Sequence, residues 1–312
     1  TITKAQGVGT IAPKELNLAL ANGARFDKTY DGNANVAQTL AKGTNYSLTG
    51  FVTGEGTGIE LAAVTGKYAD KNAAADKAVT FGGLTLTGAG AGNYVLNSTN
   101  LAGTGTITPR ALTLGEVAAQ TKTYDGTTAA DVAQFRAALN NVVAGEENLV
   151  TAIAAGAAYN DKNVARANRI DYTGVALAGA DAGNYSLAAT TAQGTGTIAK
   201  RSLTIGAVAE QTKTYDGTTA ADTSKFGATL GNVVAGEENS VTATATGAAY
   251  NDKNVAKASK VNYTGVKLTG TGAGNYAIAD TAQGAGTITK RALTLGAVAE
   301  QTKTYDSTTI AD

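Results

Sequence analysis

The sequence contains no cysteine, histidine, methionine or tryptophan. Without cysteine and histidine, disulfide scaffolds, thiolate or imidazole metal sites, and Ser-His-Asp or Cys-His catalysis are excluded. An excess of one charge is also missing, because 25 Lys and Arg balance 25 Asp and Glu among 312 residues. A neutral chain has no electrostatic footprint for nucleic acid, and no apolar run reaches the roughly 18 residues of a membrane span. We therefore expect neither nucleic-acid binding nor membrane insertion.

Repetition is the dominant feature of the chain. Lys-Thr-Tyr-Asp recurs with its tyrosine at positions 30, 124, 215 and 305, in steps of 94, 91 and 90 residues. Tyr-x-Asp-Lys-Asn and Ala-Gly-Asn-Tyr each occur in three copies, in steps of 91 residues. A fixed order at a fixed period indicates a tandem array. We predict an end of a preceding repeat, three complete repeats and the start of a following repeat, over residues 1–11, 12–108, 109–199, 200–289 and 290–312.

No flexible tether separates the predicted repeats. The boundaries read Gly-Thr-Ile followed by a leucine five positions later, and the 2 prolines, Pro13 and Pro109, both lie at boundaries. A Gly/Ser tether is flexible, whereas these boundaries resemble strands. We infer stiff head-to-tail packing of neighbouring repeats.

Alternating apolar residues with Gly, Asn and Asp between them predict a mainly β fold. Leu293 and Leu295 are expected to open a strand, and the break in alternation at Thr264-Gly265 suggests a β-bulge. The fold class we predict is a tandem array of ~91-residue β-sandwich-like modules, with a β-grasp-like sheet as the alternative.

One segment of each repeat departs from this alternation. Val132, Phe135 and Leu139 are spaced three and four residues apart, and Asp131 could cap a helix before them. The spacing predicts one short helix per module, over residues 129–140 in the second repeat.

The Tyr-Asp-Gly and Ala-Gly-Asn-Tyr motifs are interpreted as structural. Asp-Gly supplies turn chemistry, and we expect the tyrosine ring to pack into the core of its own repeat with its hydroxyl at the rim. Glycine is not strictly required in the turn, because Ser307 replaces it in the last copy. The structural motif residues are Tyr30, Asp31, Gly32, Tyr124, Asp125, Gly126, Tyr215, Asp216, Gly217, Tyr94, Tyr185 and Tyr276.

The remaining polar clusters are assigned to exposed loops. Asp161-Lys162-Asn163 is expected to be a solvated turn, and Glu146-Glu147 an exposed loop without acid–base work. Calcium would need converging oxygens from Asp125, Asp161 and Asp181, and the last becomes glycine in the next repeat. An isopeptide cross-link at Lys122 is a further alternative that the spacing does not favour. We assign no catalytic, cofactor-binding or metal residues and expect no cofactor.

The motif set resembles the YDG repeat family. The resemblance rests on Lys-Thr-Tyr-Asp-Gly-Thr-Thr, Val-Val-Ala-Gly-Glu-Glu, Tyr-Asn-Asp-Lys-Asn-Val and Ala-Gly-Asn-Tyr, and it covers nearly the whole chain. The first repeat departs from it, since Asn33 replaces the first threonine of the motif and Ala69 replaces an asparagine. Such repeats occur in large bacterial surface proteins of the filamentous-haemagglutinin-like, two-partner-secretion type. The resemblance implies an extracellular place, at the bacterial cell surface or in the biofilm matrix.

These observations favour a structural function over an enzymatic one. Each repeat of an array contacts only its neighbours, so length can grow by duplication. We expect a stiff stalk or fibre segment of an exported adhesin or matrix protein, whose partners are neighbouring repeats of the same chain. The alternative is a binding module for host or matrix glycans or for other copies of the fibre. We expect no enzyme, because each candidate residue type recurs as scaffold.

Overall fold

The computed structural model describes residue 4 and residues 6–310. The chain divides into two compact units. The first unit is formed by Thr1–Gln120, Ala129–Tyr159 and Arg169–Thr195, and the second by Thr121–Thr128, Asn160–Asn168 and Gly196–Asp312. The first unit thus holds the first repeat with most strands of the second. The second unit holds the third repeat with short segments of the second.

In the first repeat, alternating apolar side chains turn each strand toward one core. Val79 and Phe81 are buried while the residues between and beside them face outward, as half-buried strands require. The strands are β1 (Lys14–Leu20), β2 (Lys28–Thr29), β3 (Tyr46–Thr49), β4 (Glu60–Leu61), β5 (Lys67–Tyr68), β6 (Ala74–Phe81), β7 (Leu86–Thr87), β8 (Tyr94–Leu96) and β9 (Leu101–Thr108). Strand β1 pairs antiparallel with β3 and parallel with β8. A four-stranded sheet has the order β2-β9-β6-β5, and β4 pairs with β7.

The second repeat uses the same plan. Its strands are β10 (Arg110–Val117), β11 (Gln120–Thr123), β12 (Ala137–Asn140), β13 (Thr151–Ile153), β14 (Gly156–Tyr159), β15 (Arg169–Thr173), β16 (Ala176–Ala178), β17 (Tyr185–Leu187) and β18 (Thr191–Ala199). Within the first unit, β10 lies between antiparallel β12 and parallel β17. Strand β15 lies between β14 and β18, and β13 pairs with β16.

The third repeat lies within the second unit. Its strands are β19 (Arg201–Ser202), β20 (Thr204–Val208), β21 (Gln211–Thr214), β22 (Ala228–Gly231), β23 (Thr242–Thr244), β24 (Gly247–Tyr250), β25 (Lys260–Thr264), β26 (Lys267–Thr269), β27 (Tyr276–Ala277) and β28 (Thr281–Thr289). The sheets are β21-β28-β25-β24, β20-β22, β23-β26 and β19-β27. The predicted mainly β fold is confirmed, and a curled sheet in each of the three repeats fits β-sandwich modules.

The predicted helix is wrong. Residues Val132–Gln134 form a single 3₁₀ turn, and β12 follows it. Asp131 does cap this turn, because its Oδ1 accepts a hydrogen bond of 2.9 Å from the Ala133 N–H. The helical spacing of the apolar residues arises because Phe135 packs on Tyr172 while Leu139 pairs with Leu114 across β10 and β12. Other 3₁₀ turns are Ala91–Asn93, Ala182–Asn184, Thr223–Lys225 and Ala273–Asn275. Along the described part of the chain, no helix is long and apolar enough to cross a membrane.

Two further expectations about strands need correction. Thr264-Gly265 is not a bulge within one strand: β25 ends at Thr264, Gly265 takes a φ of +60°, and β26 then pairs with β23 in another sheet. The break in alternation therefore marks a change of sheet. Residues 290–310 contain no strand, and Leu293 and Leu295 are exposed. Their equivalents in the second repeat, Leu112 and Leu114, pair with Leu187 and Leu139, which lie later in that repeat.

Candidate functional site

The tyrosine of each Tyr-Asp-Gly motif is held beside the end of its repeat. The backbone N–H of Tyr30 donates to the carbonyl oxygen of Thr108 at 2.9 Å, at the last residue of β9. In the second unit, the N–H of Tyr124 donates to Ala199 O at 2.9 Å and that of Tyr215 to Thr289 O at 2.9 Å. Since the chain enters the next repeat from these strand ends, each tyrosine stands at a boundary between repeats.

The following aspartate shapes the turn. Asp216 Oδ1 accepts hydrogen bonds from Lys213 Nζ at 2.8 Å and from the N–H and hydroxyl of Thr218 at 2.9 and 3.0 Å. The Lys213 ammonium, with the Thr218 donors, lowers the pKa of Asp216 to about 2. Gly217 has a φ of +83°, as the predicted turn requires. The side chain of Asp216 therefore serves the local turn.

A buried carboxylate joins the first two repeats within the first unit. The Tyr30 hydroxyl donates to Glu146 Oε1 and Oε2 at 2.8 and 3.0 Å, and the Tyr185 hydroxyl donates to Oε2 at 2.6 Å. Lys71 Nζ donates to Glu146 Oε1 at 2.6 Å and to Asp181 Oδ2 at 3.1 Å. Tyr30 is 0% exposed and Glu146 is 7% exposed. We call this set, with the asparagines described next, the first junction.

A pair of amides extends the first junction. The Ala73 N–H donates to Asn184 Oδ1 at 2.8 Å, and Asn184 Nδ2 donates to Asn72 Oδ1 at 3.2 Å. The rings of Tyr30 and Tyr185 meet edge to face, with centroids 5.3 Å apart. An edge-to-face pair adds about 0.5–1.5 kcal/mol to the burial of apolar area. Polar and aromatic contacts together fix the relative placement of the first two repeats.

Electrostatics favour an ionised Glu146 despite its burial. Burial acts to raise the pKa of Glu146, but hydrogen bonds from Lys71, Tyr185 and Tyr30 outweigh it and hold the pKa below 4.5. The Glu146 carboxylate in turn raises the pKa of Lys71. Burial, together with the hydrogen bond to Glu146, raises the pKa of Tyr185 to about 12. Each group is thus kept in the protonation state that the hydrogen bonds need.

The same arrangement recurs within the second unit as the second junction. The hydroxyls of Tyr124 and Tyr276 each donate to Glu237, at 2.7 Å to Oε1 and 2.7 Å to Oε2. Lys162 Nζ donates to Glu237 Oε1 at 3.3 Å. Asn275 repeats the amide pair: its Oδ1 accepts from the Val164 N–H at 3.0 Å and its Nδ2 donates to Asn163 Oδ1 at 2.9 Å. The tyrosine rings are again edge to face, with centroids 5.4 Å apart.

One acidic residue distinguishes the two junctions. Asp181 gives Lys71 a second carboxylate in the first junction, and Gly272 stands at the equivalent position in the second. Glu237 is also less covered, with 18% of its side chain exposed against 9% for Glu146. The shared elements are therefore two tyrosines, one glutamate, one lysine and the amide pair.

Several expectations about these residues are corrected by the geometry. Tyr30 and Tyr124 place their hydroxyls on a carboxylate of the following repeat, and not at the rim of their own. Tyr215 is only half-buried. Glu146 was expected in an exposed loop, and it is buried because three donors surround it. Lys162 was expected in a solvated turn; it is exposed, and its ammonium also contacts Glu237 at 3.3 Å.

The calcium and isopeptide alternatives concern Asp125, Asp161, Asp181 and Lys122 of the second repeat. In the residues for which coordinates are described, no three acidic side chains come together as metal ligands. The Lys122 ammonium pairs with Asp125 at 2.7 Å, within its own turn.

The Tyr94, Tyr185 and Tyr276 side chains are buried, each directly after a 3₁₀ turn formed by Ala-Gly-Asn.

Sequence reasoning missed the glutamate at the centre of each junction. Its signal was recurrence, because Glu55, Glu146 and Glu237 follow each other in steps of 91 residues. The next position holds Gly56 in the first repeat and glutamate in the other two. The glutamate that occurs at the same position of all three repeats is the one that forms the junctions. The glutamate after it, which the first repeat lacks, is the exposed neighbour.

Comparison with known proteins identifies one family. A model of the YDG domain matches residues 12–101, 108–192 and 199–283. No curated protein sequence matches the chain significantly. Among solved structures, the chain is similar to the EC1-4 fragment of Drosophila N-cadherin, with 9% identity and a TM-score of 0.28, over 89% of this chain and 75% of that one. This likeness is too low to indicate a shared fold.

Proposed function

The chain belongs to the YDG-domain family, and we propose that its repeats form a stiff stalk or fibre segment of an exported bacterial adhesin or matrix protein. The observation that carries the proposal is a buried contact that occurs twice, once in each unit. In each, a glutamate accepts hydrogen bonds from two tyrosines and a lysine, and the contact joins one repeat to the next. The exported location, at the cell surface or in the biofilm matrix, rests on the family resemblance alone.

Stiffness is supported by the chemistry of the junctions. A hinge motion at the first junction would separate Glu146 from Tyr30 and would leave a buried carboxylate and a buried hydroxyl without each other. Leaving a buried polar group without a partner costs about 1–3 kcal/mol, and more if it is charged. The apolar core of the first unit also runs from Leu112 and Val150 of the second repeat to Tyr30 and Ile107 of the first. Bending is therefore opposed by polar and apolar contacts together.

Distance measurements between spin labels test the stiffness. The chain lacks cysteine, so Thr80→Cys and Thr173→Cys create two unique label sites on exposed positions of β6 and β15, one in each of the first two repeats. We expect a narrow distance distribution that broadens in Glu146→Ala and stays narrow in Glu147→Ala, whose side chain lies outside the junction. A broad distribution in the otherwise unchanged chain would contradict the stalk proposal.

Electron microscopy tests the spacer role by measuring how the length of the particle depends on the number of repeats. A chain in which residues 200–289 are duplicated once and twice should lengthen by the same increment each time, because each repeat of an array contacts only its neighbours. Particles whose longest dimension does not grow in equal steps would argue against a spacer.

A further inference from the structure

In the first and third repeats, strands near the start of the repeat lie beside strands near its end and run in the same direction. In the third repeat, which lies within the second unit, β19 pairs parallel with β27 and β21 pairs parallel with β28. In the first repeat, β1 pairs parallel with β8 and β2 with β9. Both repeats therefore contain two parallel ladders that join their opening strands to their closing strands.

The direction of this pairing determines how a repeat responds to tension along the chain. A pull on the two ends of the third repeat draws β21 toward its N-terminal end and β28 toward its C-terminal end. Because the two strands are parallel, the pulls act along the ladder in opposite senses and load its hydrogen bonds together, in shear. In an antiparallel pair of opening and closing strands, the two pulls would act at the same end of the ladder. The hydrogen bonds would then break one after another.

The closing strand of the repeat is also held on both of its sides. Strand β28 lies between parallel β21 and antiparallel β25, in a sheet of order β21-β28-β25-β24. Strand β9 has the corresponding place in the first repeat, between β2 and β6. A strand that is hydrogen-bonded on both sides has no free edge from which it can peel. Tension on it therefore has to break two ladders before the strand leaves its sheet.

The tyrosine of the Tyr-Asp-Gly motif extends the ladder to the point where the chain leaves the repeat. The Tyr215 N–H donates to Thr289 O and the Tyr30 N–H donates to Thr108 O, each at 2.9 Å. Each acceptor is the last residue of its strand. In the third repeat, the donor directly precedes a turn that the Asp216 side chain closes. The hydrogen bond nearest to the load therefore has a firmly held donor.

We propose that the repeats of this chain withstand tension, because the parallel ladders between their opening and closing strands are loaded in shear. The rate of unfolding under force, rather than the free energy of unfolding, then determines how long a repeat holds. The inference rests on the proposed stalk function and deepens it, since a stalk that holds something at a distance is pulled along its chain. A chain that is stiff in the spin-label experiment but yields at low force would refute this inference and leave the stalk proposal intact.

Single-molecule force spectroscopy of the full chain tests the inference with three pairs of attachment points on the third repeat. The chain lacks cysteine, so exposed residues replaced by cysteine give unique attachment points. Lys200→Cys with Lys290→Cys applies the load where the chain enters and leaves the repeat. Glu210→Cys with Lys290→Cys pulls β21 and β28 in opposite directions along their ladder. Thr214→Cys with Lys290→Cys pulls the same two strands apart from their shared end, where Thr214 pairs with Thr289.

The three pairs should differ in rupture force and agree in melting temperature. The ladder has four residue pairs, which break together in shear and one by one in peeling, so the first two attachments should rupture at up to about four times the force of the third. Equal melting temperatures assign this difference to the direction of the load, since all three variants then hold the same fold equally well. If the Lys200 and Lys290 attachment ruptures at the force of the Thr214 and Lys290 attachment, the inference is overturned.

Discussion

Replacing Glu146 by alanine should destabilise the first unit by about 3 kcal/mol. The substitution removes the acceptor of the Tyr30 and Tyr185 hydroxyls, which are 0% and 5% exposed as residues. A buried polar group left without its partner costs about 1–3 kcal/mol, so two hydroxyls give about 2–6 kcal/mol. Lys71 is 36% exposed and retains Asp181, so we assign no cost to it. Water that enters the space left by the carboxylate accepts hydrogen bonds from the hydroxyls, so we expect a cost in the lower half of that range.

The neighbouring residue supplies a matched control. Glu147 is exposed and accepts a hydrogen bond from the Gly145 N–H within its own turn, at 3.0 Å. Glu147→Ala should therefore change the free energy of unfolding by less than about 0.5 kcal/mol. Both variants remove the same atoms and the same charge, so the difference between them isolates the junction.

Two measurements check the prediction. Urea denaturation followed by circular dichroism gives the change in stability, and hydrogen exchange of the Ala73 amide reports locally, since this N–H donates to Asn184 across the first junction. We expect Ala73 to lose protection in Glu146→Ala and to keep it in Glu147→Ala. If both variants unfold at the same urea concentration and Ala73 exchanges alike in both, the buried carboxylate does not hold the repeats together and the reasoning fails.

Three other outcomes follow from the junction geometry. Gly126→Ala and Gly217→Ala both place a Cβ at a φ near +80°, which costs about 1–2 kcal/mol, but only Gly126→Ala also meets Val234, so its melting temperature should fall further. The pKa of Glu146 lies below its ordinary value of 4.5 in the folded protein. Its contribution to the free energy of unfolding is therefore fully present above pH 4.5 and is lost as the pH falls through the folded pKa. Glu146→Gln should flatten this acidic part of a stability–pH curve. In base, the pKa of Tyr185 is raised from 10 to about 12, so its contribution is present below pH 10 and is lost as the pH rises to about 12, and Tyr185→Phe should remove that loss.

The sequence was sufficient for the architecture of the array but not for the role of its motif. Period and alternation predicted repeats of mainly β structure, because apolar residues two apart, such as Val79 and Phe81, can face one core only in a strand. The same reasoning failed at residues 129–140, where Phe135 and Leu139 have helical spacing but pack on different partners. Tertiary contacts there override the local pattern.

The junction could not be found from local pattern because its members are far apart in sequence. Tyr30 and Glu146 are separated by 116 residues, and Lys71 lies between them in a loop that reads as an ordinary turn. Local chemistry predicted the Asp-Gly turn correctly, since the turn is closed by residues within the motif. The ring of Tyr30 is buried, as predicted, but its hydroxyl was wrongly placed at the rim, because its position depends on Glu146 of the following repeat.

The repeats of the sequence and the compact units of the structure therefore have different boundaries. The second compact unit contains the whole third repeat and also residues 121–128, 160–168 and 196–199 of the second. The first two of these segments carry Tyr124, Lys162 and Asn163. These are the side chains that contact Glu237 and Asn275. A repeat completes its structure with two loops from its predecessor, so its stability contains a nearest-neighbour contribution that an isolated repeat would lack. Loss of one glutamate should therefore lower the stability of two neighbouring repeats at once. A chain of independently stable repeats would not show this.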